Sequence, residues 1–144
     1  MSKDLQDFER FMQQREAAAG AYVQGDAVPL GQIVARVSNA SFFSPRGDYV
    51  EGADAVWSRY EVDAGAFDSG SDNRFEILDM GASDGIAYWV GLQRSSARLR
   101  GKPEPVEFNL RITEIFRREG DEWKLIHRHA DQLASEADEK QPAE

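Results

Sequence analysis

Two histidines and an aspartate stand at alternate positions near the end of the chain: His127, His129 and Asp131, within FRREGDEWKLIHRHAD (116–131). Side chains on a strand alternate with period two, so all three would project from one face. Such a row is open to three chemistries. Two imidazoles at i and i+2 can hold a divalent ion with a carboxylate from a neighbouring strand. An imidazole beside a carboxylate in a water-poor cavity can act as an acid–base pair. The same residues can also be partly buried polar groups at the rim of a pocket or interface. Pairing this strand with the one before it through a Gly120-Asp121 turn sets Glu114 opposite His127. The chain holds no other histidine, so a metal would find at most two imidazoles and two carboxylates. The pocket-rim role is therefore favoured, with no metal and no cofactor expected. The absence of cysteine excludes thiolate zinc sites and cysteine nucleophiles.

A second set lies on the neighbouring strands. Pairing 84–100 with 106–118 around Gly101–Pro105 aligns Tyr88, Val90 and Leu92 with Ile115, Thr113 and Arg111, and in that register Arg128 falls opposite Thr113. Guanidinium groups on such a face suit an anion or a small carboxylate. The other face, Phe108, Leu110, Ile112 and Phe116 with Trp123 and Leu125, is more apolar. By periodicity alone it turns inward and carries Glu114, His127 and His129 with it. Two pocket sets thus stand side by side: Tyr22, Tyr88, Arg111, Thr113 and Arg128, or Glu114, His127 and His129. A register change of one residue exchanges them, because it flips every side chain.

The elements that must position these residues read clearly from the pattern. Leu5, Phe8, Phe11, Met12, Ala19, Tyr22 and Val23 recur at spacings of three and four, which predicts an amphipathic helix capped by Ser2 and stopped near Gly25. Pro29-Leu30 opens a shorter helix with Ile33, Val34 and Val37 on one side. ASFFSPRGD (40–48) predicts a short strand and a glycine turn, and 51–64 a third helix buried through Val56, Trp57 and Tyr60. FDSGSDN (67–73) reads as a polar loop. Strands follow at 74–80, 84–100, 106–118 and 122–130, where the period changes to two. Tyr22, Phe42, Phe43, Trp57 and Tyr60 are expected beneath the sheet.

At 144 residues the chain is long enough for one domain that buries roughly 70% of its unfolded surface. Residues 1–132 are expected to form it, and the charged, aperiodic 133–144 an acidic disordered tail. The net charge of −9 disfavours nucleic acid and anionic membranes. No run approaches the ~20 apolar residues of a membrane span. The charged opening MSKDLQDFERF lacks a signal peptide's apolar core, and a cytoplasmic location is expected.

Three helices followed by long antiparallel strands predict an α+β fold, a curved, mainly antiparallel sheet wrapped around the helices with a pocket at its open end. YVQGD, SFFSPRGDYVEGADAV, AYWVGLQR and, above all, RITEIFRREGDEWKLIHRHAD resemble the SnoaL-like branch of the nuclear transport factor 2-like superfamily, over about residues 5–132. That superfamily includes ketosteroid isomerases and the association domain of calcium/calmodulin-dependent kinase. The resemblance implies a cone-shaped fold, a cavity between sheet and helices, and a homodimer packed through the sheets. It turns the apolar face of 106–118 toward the partner copy, because Phe108, Ile112, Phe116 and Trp123 are too apolar to leave exposed. It also implies arginines from strands equivalent to those of Arg111 and Arg128 in a pocket for small acids. It implies no particular reaction. The isomerase set of catalytic acids has no counterpart here, since Tyr88-Trp89-Val90 has no acid beside it. The expected function is the binding of a small hydrophobic or carboxylate-bearing molecule. The alternatives are a cofactor-independent isomerase, hydratase or cyclase using His129 or Glu114 as acid–base, and a dimeric assembly or regulatory module.

Overall fold

A computed structural model of the chain describes residues 2–135. The elements are α1 (Lys3–Tyr22), α2 (Val28–Gly31), β1 (Ser41–Phe43), β2 (Tyr49–Glu51), α3 (Ala53–Ala64), β3 (Phe67–Ser83), β4 (Ile86–Leu99), β5 (Val106–Glu119) and β6 (Glu122–Gln132). The six strands form one sheet in the order β2-β1-β6-β5-β4-β3. All pairs are antiparallel except β1 with β6. The α+β arrangement expected from the sequence is present, with helices against one face of a curved sheet. The tail expected to be disordered lies, from residue 136 on, outside the described residues.

The first helix begins where the cap predicts, with the Ser2 hydroxyl oxygen accepting from the Leu5 N–H. Its stripe buries Phe8, Met12, Arg15, Ala18 and Ala19. Phe8 packs on Phe116 and edge-on to Trp123, with ring centroids 5.2 and 5.6 Å apart. The apolar alternation of β5 decides its inner face: Leu110, Ile112, Glu114 and Phe116 are buried in turn. This corrects the orientation implied by the resemblance, because the face with Ile112, Phe116 and Trp123 is the core and is not free to cover a second copy. Burial of apolar area beneath the helices outweighs any alternative use of that face.

Three other expectations are corrected. The second helix is a single turn; Ile33 and Val34 leave it to bridge β6, where Leu125 donates to the Ile33 carbonyl and accepts from Ala35 N–H. Val37 is left 91% exposed. The stretch 67–73 is no loop: it forms the start of the 17-residue β3, whose twist and irregular register between Asp68 and Asp72 mask the alternation. Phe43 lies on the outer face of the sheet, while Phe42 and Tyr60 are in the core.

An edge strand as long as β3 would present unpaired backbone groups to other chains. Side chains of α1 and of the turn that follows it cover several of them. Glu16 accepts from Phe75 N–H at 2.7 Å, and Gln24 accepts from Gly70 and Ser71 N–H and donates to the Ser71 carbonyl. Asp4 accepts from Gly85 N–H in the turn after it. The sheet bends at a bulge between Ile77 and Asp79, and there Gly91 of β4 meets β3 so closely that a Cβ would stand 2.1 Å from the Glu76 carbonyl oxygen. Only a residue without a side chain permits this approach. Gly91→Ala is expected to cost about 3 kcal/mol by forcing the backbones apart. The urea midpoint should fall accordingly, and an unchanged midpoint would refute the role given to this contact.

Candidate functional site

A charge in an apolar stripe is the residue type that folding resists most. Two occur here: Arg15 among Phe8, Met12, Ala18 and Ala19 on α1, and Glu114 between Ile112 and Phe116 on β5. The fold brings them together. Glu114 is fully buried and Arg15 is 3% exposed. Arg15 Nε donates to Glu114 Oε1 at 2.9 Å and Nη2 to Oε2 at 2.7 Å, the bidentate geometry that suits a guanidinium. Trp89 Nε1 donates to Oε1 at 2.8 Å and Arg128 Nη1 to Oε2 at 2.6 Å. Arg128 Nη2 continues to Gln93 Oε1 at 2.7 Å, and Gln93 Nε2 to Asn73 Oδ1 at 2.8 Å. Ser95 also donates to Asn73 Oδ1. A polar row thus crosses the inner face of the sheet from β5 to β3.

Arg128 reaches this row because β6 carries an extra residue. His127 pairs with Ile115 but Leu125 with Phe116, so Ile126 has no opposite number and the strand changes face at that point. Beyond it Arg128 stands opposite Glu114, and His127 and His129 stand opposite Ile115 and Thr113. The sequence-based pairing of Glu114 with His127 and of Arg128 with Thr113 is corrected accordingly. The two proposed sets are each divided. Glu114 and Arg128 are together on the inner face, near Tyr22, whose hydroxyl donates to the Tyr60 carbonyl. Arg111, Thr113, Tyr88, His127 and His129 are on the outer face. There Arg111 forms a bidentate pair with Asp131, and Tyr88 donates to Asp79. His127 Nδ1 contacts the Ser41 hydroxyl at 2.7 Å. The Phe43 ring lies edge-on between the imidazoles, 4.9 and 5.5 Å from them. Among the described residues no group of three His, Asp or Glu side chains gathers as metal ligands would.

Arg15, Trp89, Gln93 and Asn73 were not singled out from the sequence. Arg15 left a signal: it falls within the stripe, three residues after Met12 and four before Ala19. Its partner did not, since α1 and β5 are brought together only by the fold.

The electrostatics follow from the geometry. Two guanidiniums and one carboxylate give the buried cluster a net charge of +1. Burial pushes the Glu114 pKa up, but the charges of Arg15 and Arg128 and their hydrogen bonds prevail and hold it at about 2. Burial raises the pKa of the Tyr60 and Tyr22 phenols, keeping both neutral. Burial and the nearby His129 lower that of His127. Some donors remain unspent: Arg15 Nη1, Tyr60 Oη and Asn73 Nδ2 are buried and have no hydrogen-bond partner among the described residues.

Glu114→Gln removes the charge that compensates both arginines. It should cost roughly 3–5 kcal/mol at neutral pH. Because the folded-state pKa of Glu114 is depressed, its contribution is complete above the ordinary value near 4.5 and is lost as pH falls toward about 2. Urea denaturation between pH 7 and pH 2 should therefore show wild type and Glu114→Gln converging across that window; parallel curves would refute the assignment.

No family model matches the sequence, and no curated protein matches it. Solved structures do match the fold. A nuclear transport factor 2-like superfamily protein from Salmonella enterica serovar Typhimurium superposes with a TM-score of 0.74 at 14% identity, over 95% of this chain and 96% of that one. A protein of the same family from Streptomyces avermitilis, provisionally described as a dehydratase, gives 0.72 at 20% identity over 90% and 98%. A provisionally assigned calcium/calmodulin-dependent protein kinase type II association domain from Thiobacillus denitrificans gives 0.63 at 17% identity over 84% and 93%. Similarity in structure across nearly the whole length of each, at identities this low, establishes the architecture: the chain has the nuclear transport factor 2-like fold.

Proposed function

We propose that the protein binds a small carboxylate-bearing molecule between its helices and the inner face of its sheet, at Arg15, Tyr60 and Arg128. The observation that carries this reading is the imbalance of the buried polar row. Its charge is +1, the Glu114 oxygens each accept two hydrogen bonds, and donors on Arg15 and Tyr60 are left over. Unsatisfied buried donors are costly, and an anion supplies both the charge and the acceptors that they call for. The acid–base alternative is weaker. Four donors saturate the Glu114 carboxylate and keep it ionised, and His129 lies on the outer face, away from the row. The provisional dehydratase description of the Streptomyces protein adds no residue to that alternative. A cytoplasmic setting is kept as part of this reading.

The homodimer belongs to the same proposal, now on the outer face. Phe43, Ile86 and Tyr88 are all 38–43% exposed there, and an isologous contact through this face would cover them. Sedimentation velocity at micromolar concentration should give twice the 16.1 kDa of the chain; a monomer at about 50 μM, well above a dissociation constant of about 1 μM, removes the dimer.

The binding reading is tested with Tyr60→Phe. The Tyr60 hydroxyl has no partner to lose, so the substitution should leave the ligand-free protein as stable as before or about 1 kcal/mol more stable. Calorimetric titration with sodium pentanoate should show saturable binding that weakens ~10-fold in the variant, with pentanamide inert. Equal response to acid and amide, or none to the acid, would overturn the proposal.

A further inference from the structure

The outer face carries its own arrangement of charge, toward the far end of β4 from Tyr88. Cross-strand register lines up Arg74, Arg94 and Asn109 in one row and Asp72, Ser96 and Glu107 in the next. Positions two apart on a strand share a face, so these six side chains stand together, opposite the inward Gln93 and Ser95, with the rows roughly 7 Å apart. They line a groove of about 400 Å³. Arg94 is six residues beyond Tyr88, roughly 20 Å along the strand, which sets the groove apart from the apolar patch at Tyr88 and Ile86.

Arg74 and Arg94 are direct cross-strand partners, an arrangement that is unfavourable for like charges. One carboxylate answers both: Glu76, a row further along, is 3.9 Å from Arg74 and 3.5 Å from Arg94. Both distances exceed the ~2.7–2.9 Å of a strong charge-assisted hydrogen bond. No ion pair joins the arginine row to the acid row. Among the described residues the side chains of Asp72, Glu107, Ser96 and Asn109 have no hydrogen bond or ion pair. These groups are accessible: the Arg74 and Arg94 side chains are 64% and 34% exposed, and Asp72 and Glu107 are exposed as well.

Three carboxylates against two guanidiniums give the groove a net charge of −1, with its signs held in separate rows. A simple anion drawn to the arginines meets acids on both sides of them, and a simple cation drawn to the acids meets the arginines. A molecule carrying both charges sets each against its opposite. We propose that the groove binds a small dipolar molecule, with an ammonium at Asp72 and Glu107 and a carboxylate at Arg74 and Arg94, beside the Ser96 hydroxyl and the Asn109 amide. A row spacing of roughly 7 Å suits the two ends of an ω-amino acid. This site lies on the other side of the sheet from the buried cluster, and neither reading depends on the other.

The test is a titration of the isotope-labelled full chain at pH 7, followed through the backbone amide resonances of residues 72–74, 94–96 and 107–109. The probes are 6-aminohexanoate, hexanoate and hexylamine, which share one carbon chain and differ in its charged ends. 6-Aminohexanoate is expected to move these amides saturably with a dissociation constant of about 1 mM, and each singly charged analogue to bind there about tenfold more weakly. The double variant Asp72→Asn, Glu107→Gln should weaken 6-aminohexanoate and strengthen hexanoate, so that their affinity ratio falls from about ten to about one or below. Arg94→Gln should weaken 6-aminohexanoate about tenfold and leave hexylamine no weaker. Thermal melts establish that the variants are folded, as the lack of partners for Asp72 and Glu107 leads one to expect. No saturation by about 20 mM, well above that constant, overturns the proposal. So does equal affinity for 6-aminohexanoate and either analogue in wild type, or an unchanged ratio in the folded double variant. Shifts confined to Arg15, Tyr60 and Trp89 overturn the groove while supporting the interior carboxylate reading.

Discussion

The carboxylate of Glu114 is the point on which the molecule closes. Its four hydrogen bonds come from three elements besides its own: Arg15 on α1, Trp89 on β4 and Arg128 on β6. Taking three charges out of water is expensive, and their mutual attraction repays it only when the geometry is nearly complete. A helix shifted by one turn, or a strand by one register, would leave a buried ion unpaired. The cluster therefore works less as a source of stability than as a condition on the fold. The apolar core of Phe8, Met12, Phe116, Trp123 and Leu125 supplies the driving force, and the ionic row admits a single arrangement of it.

The sheet accommodates that arrangement through two irregularities. The bulge of β3 against Gly91 bends the long strands around the helices. The extra residue Ile126 in β6 reverses the alternation midway, so that Trp123 and Leu125 fill the narrow part of the core while Arg128 and Ala130 face inward beyond them. Without it, the imidazoles of His127 and His129 would have stood against Glu114. With it, they pack around Phe43 on the other face. One unpaired residue thus separates a buried acid–base pair from a clamped, ionised carboxylate.

The two faces of the sheet consequently differ in what they offer. Inside, hydrogen-bond donors exceed acceptors and the charge is positive. Outside, arginines are matched by acids, as in Arg111 with Asp131 and Arg94 with Glu76, among partly exposed apolar residues. Glu16 of α1 and Gln24 in the turn just beyond it cover backbone groups along the β3 edge.

Local pattern determined a large part of this protein. The cap at Ser2, the apolar stripe of α1, the change of period after residue 74 and the hairpin at Gly120 follow from short-range sterics and periodicity, and they suffice for an α+β fold with helices against a curved sheet. Even the inward turn of Leu110, Ile112, Glu114 and Phe116 was written in the alternation of β5. The strand at 67–73 was hidden, because a bulged edge strand held by a side chain from the turn after α1 lacks the alternation of a half-buried one. The site was legible only in fragments. Arg15 and Glu114 are each visible as a charge within an apolar stripe, but they are 99 residues apart, and nothing local joins them. What tertiary structure alone decided was the face on which Arg128, His127 and His129 stand. A single extra residue in β6 sets it, and strand alternation has no means of marking where such a residue will fall; the placement is fixed by which side chains can be buried with their charges paired.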